Sequence, residues 1–377
     1  MPLIFKLSFR NLFHDPLRLV ATMVGIVFSI VLVTVQMGLY FGFGRVVSNM
    51  IDHAAADLWI VPKGTKCFED PSLLDDTKRL RARAVDGVAE ASPLVTGFSD
   101  WRMASGNSTP VFVVGSDLHA KALTPWDVVD GSVDALAVPN AVAVDRSYLD
   151  RLGITGLDAT AQIRGQHARV TVLTGGIRSF TTTPYVFTAL DRARLYTGIP
   201  SSQETFILVR LAPGADREAV RHRLQDAVPG VEVLTSAEFR DRSRAFWLFG
   251  TGAGAALFAG ALLGVIVGTV IVAQTLYSST KEHLSEFATL RAIGSSKRYI
   301  YTVIVCQALI SAVVGFCCAG VIDAGVMALT RNTALPIVVT EGLMLLMFGL
   351  TVVMCIASSS AAIFKVTRLD PATVFVR

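Results

Sequence analysis

The sequence predicts an α-helical membrane protein: four transmembrane helices in a 1+3 layout, with a large extracytoplasmic α+β domain inserted between the first and the second. Three observations carry that reading. The 377 residues are 52% hydrophobic and only 17% charged, with a mean hydropathy of +0.53, too apolar for a soluble domain of this size. Four stretches stay free of charge for the roughly 20 residues that a helix needs to cross a bilayer core of about 30 Å. Between the first two of them, residues 45–246 hold 23 basic and 24 acidic side chains, a near-balanced composition suited to water.

Taken in chain order, residues 1–18 form a cytoplasmic N-terminal segment, and residues 19–44 the first span. The 26 uncharged residues of that span exceed the apolar core of a signal peptide. The nearest small-residue cleavage pattern, HAAAD at 53–57, stands well beyond them, so the segment reads as an uncleaved anchor. Residues 45–246 make up the extracytoplasmic domain, and 247–277 the second span. A cytoplasmic coupling segment, 278–298, leads to the third span at 299–322. A short outer loop, 323–341, leads to the fourth at 342–364, and 365–377 is a cytoplasmic tail. Ten basic residues, Lys6, Arg10, Arg18, Lys281, Arg291, Lys297, Arg298, Lys365, Arg368 and Arg377, flank the spans on one side, against Arg331 alone in the outer loop. Both termini are therefore placed in the cytoplasm. The formal net charge of +4 belongs to these flanks, which suits the anionic headgroups of a lipid bilayer and argues against a nucleic-acid partner.

Within the domain, β-branched runs bounded by Gly, Pro, Asp or Asn mark strands at 57–62, 109–118, 140–146, 168–177 and 184–190. Residues 205–235 read as strand, Pro-Gly turn, helix, Pro-Gly turn and strand, a βαβ-like unit whose helix has Ala219, Val220, Leu224 and Ala227 near one face. Ser236 is a candidate N-cap for the next helix, SAEFRDRSRAFWLFG (236–250), which runs without a breaker into the second span. One continuous helix would carry movement of that span directly to the domain. No internal repeat is visible, which disfavours solenoids and transporters built from duplicated halves.

Residue patterns for catalysis are missing. No GxxxxGK[ST], HExxH, CxxC or GxSxG stretch occurs, so the chain is expected to bind no ATP of its own, hold no metal and carry no catalytic residue. His53 and Asp57, four apart, are the minimum for a metal site and equally a common surface pair. Cys306, Cys317, Cys318 and Cys355 fall in spans, where free Cys packs as a small hydrophobe, and Cys67 is the single cysteine of the domain. Asp323, at the outer end of the third span, and Glu341, at the start of the fourth, are charges that helix ends carry out to water. No carboxylate stands mid-span to drive a proton-coupled carrier. Thr34, Gln36, Gln274 and Gln307 read as interhelical hydrogen-bond partners. Ala256, Gly260, Gly264 and Gly268 in the second span, and Gly38 and Gly42 in the first, recur at four-residue spacing and allow close helix approach, either within one subunit or at a homodimer seam.

The connection between the second and third spans holds a further element. Leu284, Phe287, Ala288, Leu290 and Ile293 make an apolar side, and Glu282, Glu286, Arg291, Lys297 and Arg298 supply charge: a short amphipathic helix that ends at Gly294 and restarts after Ser295-Ser296. Such an element lies on the membrane surface or plugs into a partner. The stretch SEFATLRAIGSSKRYI (285–300) resembles the cytoplasmic segment of the MacB/FtsX-like permeases of ABC transporters, with matching positions at Glu286, Leu290, Arg291, Ala292, Gly294, Ser295, Lys297 and Arg298. The ending RLDPATVFVR, with Asp370, Pro371 and Ala372, is similar to that family's ending, and the 1+3 topology is its architecture. DLWIVPKGTKCFEDP (57–71) and NAVAVDRSYLDRLGI (140–154) look most like the DevC subgroup. A Glu often found early in the family's third span stands as Gln307 here.

The resemblance implies a MacB-type (type VII) ABC permease of the bacterial inner membrane, multi-pass and homodimeric. Each copy would dock on a separate ABC ATPase subunit that binds ATP and Mg, with no cofactor in this chain. Leu284, Glu286, Phe287, Leu290, Arg291, Gly294, Lys297 and Arg298 would be the ATPase-coupling residues. Motion would pass to the extracytoplasmic domain and extrude an amphiphilic cargo, a glycolipid or related molecule, in company with a periplasmic adaptor protein and an outer-membrane channel. The alternative within the same resemblance is an FtsX-like signalling subunit that activates an extracytoplasmic hydrolase.

Overall fold

The computed structural model describes residues 16–70, 72–180, 183–282, 297–330, 333 and 337–367. It divides into two compact units, Met1–Gly42 with Gly254–Arg331 and Pro336–Arg377, and Phe43–Ala253 with Asn332–Leu335.

The first unit is helical. Helix α1 (Pro16–Asp52) carries the first candidate span, Leu19–Asp52. The other three spans, Ala253–Gln274, Tyr301–Thr330 and Glu341–Ser359, lie in helices 253–282, 297–330 and 341–367. The third helix runs on to Thr330, beyond the Ile322 at which the charge-free run stops, because a single Asp323 does not end a helix and the residues after it, AGVMALT, continue the apolar pattern. The bundle is organised around α1, whose Ile26, Ser29, Ile30, Val33 and Thr34 are all buried. Gly25 lies against Ile271, Ser29 against Gly268, Val33 against Gly264 and Gln36 against Gly260, so α1 and the second span run antiparallel. Ser29 donates a hydrogen bond to the Gly264 carbonyl at 2.8 Å, and Ser358 one to Thr269 at 3.0 Å. Gly315 meets Ile26, and Gly38 meets Ile337, while the Gly38 carbonyl accepts from Val338 N at 3.1 Å. Phe258, Leu263, Val321 and Leu345 remain exposed, an apolar exterior of the kind lipid requires.

The second unit is a mixed sheet of ten strands with a two-stranded satellite, among the described residues. In order the strands are β1 (Leu58–Pro62), β2 (Leu74–Asp75), β3 (Val88–Arg102), β4 (Ser108–Ser116), β5 (Val128–Gly131) and β6 (Ala141–Asp145). They continue with β7 (Thr160–Ile163), β8 (Gln166–Thr174), β9 (Tyr185–Ala189), β10 (Gln203–Glu204), β11 (Phe206–Leu211) and β12 (Val231–Thr235). Short helices α2 (Thr77–Arg83), α3 (Leu149–Leu152), α4 (Leu190–Thr197), α5 (Arg217–Ala227) and α6 (Ser236–Ala245) connect them. The long helices 253–282, 297–330 and 341–367 are then α7, α8 and α9.

Strands β11 and β12 both run antiparallel to β1, which lies between them, so α5 joins them as a split βαβ unit. Val220 and Leu224 of α5 and Val228 just after it are buried on Leu58, Ile60 and Ile207; Ala219 and Ala227, expected on that face, are exposed, because the buried stripe follows i, i+4, i+8 from Val220. Strand β12 is the sheet edge, and the Gln225 side chain covers it, accepting from Val233 N (3.1 Å) and donating to Val231 O (2.8 Å). That blunts an edge otherwise open to pairing with another chain.

On the other side of β3 the pairings close a circuit: β3 to β4, β9, β6, β8, β7 and back to β3. Trp101, Val111, Val113, Val142, Val144, Ile163, Val170 and Val186 form the core within it, alternate residues of each strand, as the two-residue period demands. The opposite face carries the main aromatic cluster, in which Trp59 stands 5.1 to 6.3 Å from the rings of Phe68, Phe206 and Phe239. Each such fully buried side chain contributes about 1.5–3 kcal/mol.

Candidate coupling site

Helix α6 leaves the sheet directly after β12. Its cap is Thr235, not Ser236: the Thr235 side chain accepts from Glu238 N (3.1 Å) and the Glu238 carboxylate accepts from Thr235 N (2.8 Å), the reciprocal box that needs a three-residue spacing. Ser236 is used otherwise, accepting from Trp59 Nε1 (3.1 Å) and donating to Ala56 O (2.7 Å). Further along, Ser243 accepts from Phe68 N (3.0 Å), Arg242 pairs with Glu232 (2.7 Å), and Phe239 enters the aromatic cluster. The helix is therefore fixed to the sheet along its length.

Its remaining stripe meets the last ten residues of α1, 43–52, which belong to the same unit. Arg240 pairs with Asp52 at 3.0 Å; Arg244 donates to the Gly44 carbonyl (2.9 Å) and the Ser48 hydroxyl (2.8 Å), and Ser48 donates to Asp52 (2.7 Å). Positions 240 and 244 on one helix and 44, 48 and 52 on the other are each one turn apart, so the contacts form a ladder. The Arg240 pair is partly exposed and contributes at most about 1 kcal/mol. Arg244 is as exposed as Arg240, so its bonds are discounted in the same way, and its distinction is that it reaches two groups on α1.

After α6 the chain does not continue as one helix. Residues Phe246–Gly250 form a π-helical turn, Thr251 caps it, and Gly252 adopts φ +77° before α7 starts at Ala253. That left-handed backbone suits glycine and breaks the helix that the sequence suggested would be continuous. Trp247, in the π-turn, donates from Nε1 to Glu69 Oε2 (3.1 Å), while Tyr185 donates to Glu69 Oε1 (2.9 Å). Burial pushes the Glu69 carboxyl up, against the effect of both bonds, and pushes the Cys67 thiol beside it up to about 12.

A loop after β8 completes the site. The buried Asp145 accepts from Gly176 N (2.6 Å) and Ile177 N (2.7 Å), and the Tyr148 hydroxyl accepts from Ser179 N (2.9 Å), fixing residues 176–179. From this loop, Phe180 packs edge-on against both Phe43 (5.1 Å) and Trp247 (4.4 Å), and Arg178 donates to the Thr333 carbonyl (2.8 Å). The end of α1, the turn before α7 and Thr333 all meet this loop, within one unit.

The sequence pointed to other residues. Leu284, Glu286, Phe287, Leu290, Arg291 and Gly294 lie outside the described residues, and Lys297 and Arg298 form the first turn of α8, with Arg298 exposed. Gly38, Gly260, Gly264 and Gly268 lie at the contacts described above, Gly42 is buried, and Ala256 is exposed. A Cβ added to Gly264 would stand 2.9 Å from Val33 Cγ2, and one on Gly260 2.8 Å from Gln36 Cδ. His53 stacks on Trp126 at 4.0 Å, and Asp57 accepts from Leu211 N at 2.8 Å; no group of three or more potential metal ligands exists among the described residues. Cys355 is buried, but Cys317 and Cys318 face outward from α8 instead of packing. Asp323 stands seven residues before the end of α8, not at a helix end.

Two family models match. Residues 19–227 match the MacB-like periplasmic core domain, and residues 248–371 the FtsX-like permease C-terminal domain. Two uncharacterized ABC transporter permeases, from two strains of Mycobacterium tuberculosis, are each 26% identical over 376 residues, covering 95% of this chain and 95% of theirs. Among solved structures, the periplasmic region of MacB from Actinobacillus actinomycetemcomitans aligns with 10% identity and a TM-score of 0.39, over 52% of this chain and 96% of that one. The extracellular domain of the noncanonic ABC-type transporter YknZ from Gram-positive bacteria aligns with 12% identity and a TM-score of 0.34, over 48% of this chain and 99% of that one.

Proposed function

The chain belongs to the MacB/FtsX-like family of ABC transporter permeases, and from that premise we propose that it is the motion-transmitting subunit of an exporter of amphiphiles in a bacterial inner membrane. A separate ATPase subunit would bind ATP and Mg and dock on residues 284–298, with Phe287 as the central apolar anchor and Glu286, Arg291, Lys297 and Arg298 setting its register. Two permease copies would work together, both termini in the cytoplasm and the sheet domain on the outer side. The observation that supports transmission is the ladder from Arg240 and Arg244 to Asp52, Ser48 and Gly44, together with the Trp247 to Glu69 bond. These contacts tie the chain entering the domain to the chain leaving it, so a displacement of either connection moves α6 and with it the sheet. Gly252, at φ +77°, interrupts the helix at the second connection, so Trp247 and the Arg rungs would carry a displacement across it.

A pull-down of the ATPase subunit, paired with ATP-hydrolysis assays in nanodiscs, tests this reading. Phe287→Ala and Glu286→Arg are expected to lose association and stimulated hydrolysis, by about 2 kcal/mol or more for one buried anchor. Gly294→Pro is expected to keep association and lose coupling, since it removes a backbone donor at the helix end and leaves the anchors in place. Normal association and turnover in all three variants would mean that the segment only lies on lipid. Recovery of an extracytoplasmic hydrolase with the domain, and no amphiphile retained by a deletion strain, would turn the assignment to signalling.

A further inference from the structure

An open cleft of about 560 Å³ lies in the sheet domain, between the connection 54–57 that joins α1 to β1 and residues 119–121 of the loop from β4 to β5, with Arg210 of β11 on its border. Volumes of this order hold small molecules. The cleft belongs wholly to one unit, and a hydrogen bond from Ala55 N to the Ala122 carbonyl (2.8 Å) holds its two walls together. Ala54, Ala55 and Ala56 keep one wall free of bulk, and the other carries His119 and Lys121. Lys121 has φ +50°, a left-handed backbone that costs free energy for any residue with a side chain, and such positions cluster where a side chain serves a site.

The acids around the cleft are already engaged. Asp57 Oδ2 accepts from Leu211 N (2.8 Å), Glu90 accepts from the Ser92 hydroxyl (2.9 Å) and pairs with Arg210 Nη2 (2.8 Å), and Asp117 accepts from His119 N (2.9 Å). The donors are not. The Lys121 ammonium and the His119 ring, both exposed, have no hydrogen bond or ion pair among the described residues. Arg210 uses only Nη2, on Glu90 and on the Ala120 carbonyl (2.8 Å), which leaves Nε and Nη1. Side chains with unused N–H groups thus border one cleft from two elements, and the complement is a group with several acceptor oxygens.

We propose that this cleft binds a phosphate monoester. Lys121, Arg210 and His119 supply more donors than the two oxygens of a carboxylate accept, and they suit the three terminal oxygens of a phosphate, Arg210 as a planar fork and Lys121 as a point charge. The Asp57, Glu90 and Asp117 carboxylates nearby disfavour a second anionic group, so the ligand carries one phosphate, and Asp57 Oδ1 takes a hydroxyl of its organic part. Because one wall is the connection between α1 and β1, an occupant touches the chain where it enters the domain. The site depends on neither an ATPase nor a cargo, so it stands or falls apart from the exporter reading.

The test is isothermal titration calorimetry of the full chain in phosphatidylglycerol nanodiscs, with glycerol 3-phosphate as the probe and glycerol and glutarate as controls that lack the phosphate. The expected result is saturable binding of the phosphate ester, weakened by added salt, and little heat from either control. Arg210→Gln and Lys121→Asn should each weaken binding by at least about tenfold, since each removes a charged partner. Asn tolerates the left-handed backbone, so Lys121→Asn should lose binding at unchanged thermal stability, which separates the site from the fold. Arg217→Gln, on the exposed side of α5 and outside the cleft, should bind as the parent does. Repeating the titration in nanodiscs that contain phosphatidic acid identifies the source: binding lost there assigns the cleft to a lipid head with the same phosphate monoester, and binding kept assigns it to a soluble ester. Absence of saturable binding in phosphatidylglycerol nanodiscs, equal binding of glutarate, or binding that Lys121→Asn and Arg210→Gln leave unchanged would each overturn the proposal.

Discussion

Glu204 shows how burial and pairing compete at a single side chain. Arg79 Nε lies 3.2 Å from its Oε2, yet the side chain has no exposure, Oε1 has no partner, and burial outweighs the guanidinium and pushes the carboxyl up to about 7. A pKa raised above the ordinary 4.5 favours the neutral carboxyl in the folded state. The stabilisation is complete below about 4.5, falls as pH rises through the window to about 7, and is flat beyond it. Glu204→Gln should therefore flatten the stability profile of the domain between those values, leaving a residual slope of the same sign from Glu69, whose carboxyl burial also pushes up. The measurement is urea denaturation at a series of pH values followed by tryptophan fluorescence, since all four Trp residues, 59, 101, 126 and 247, belong to the domain. An unchanged slope in the variant would show that Glu204 titrates normally.

Helix α7 makes the argument at the scale of an element. Its glycine face at 260, 264 and 268 is filled by Gln36, Val33 and Ser29 of α1, so Gly264→Leu would drive a side chain into Val33 and Leu32, an overpacking that costs about 1–3 kcal/mol. The expected outcome is a loosened bundle with the domain intact: lower thermal stability of the detergent-solubilised chain, with the near-ultraviolet circular dichroism of the Trp-bearing domain unchanged at low temperature. Equal stability of variant and parent would contradict that packing. The four spans and strands β1, β4, β6, β8, β9, β11 and β12 were legible because charge-free runs and β-branched runs between turn residues are local signals. Strand β3 was not, since Pro93, Gly97 and Asp100 read as breakers; Pro93 is accommodated because β4 pairs only from Leu94 onward. The break at Gly252 was missed because Thr251-Gly252-Ala253-Gly254 looks like the start of a small-residue membrane helix. The Arg240 to Asp52 rung joins residues 188 apart, and Arg244 to Ser48 joins residues 196 apart, separations over which no sequence period operates.

At the scale of the molecule, the chain places a folded domain between two connections and fastens those connections to each other on the domain side. The Arg ladder is polar and partly exposed, a joint that holds register without becoming a rigid core, while Trp247 and Phe180 give it an apolar contact. On the proposed function, energy from ATP supplied by a partner subunit would arrive here as a change in the π-turn. Phe249, 67% exposed in that turn, is the place to read it. The direct measurement is the reaction rate of a Phe249→Cys variant with a membrane-impermeant thiol reagent, in the complete complex with its ATPase, without nucleotide and after vanadate trapping with ATP. The account predicts a severalfold change in rate on trapping that disappears when Phe287→Ala is added. The same rate in both states, in a complex that still hydrolyses ATP, would contradict transmission from the ATPase to the domain.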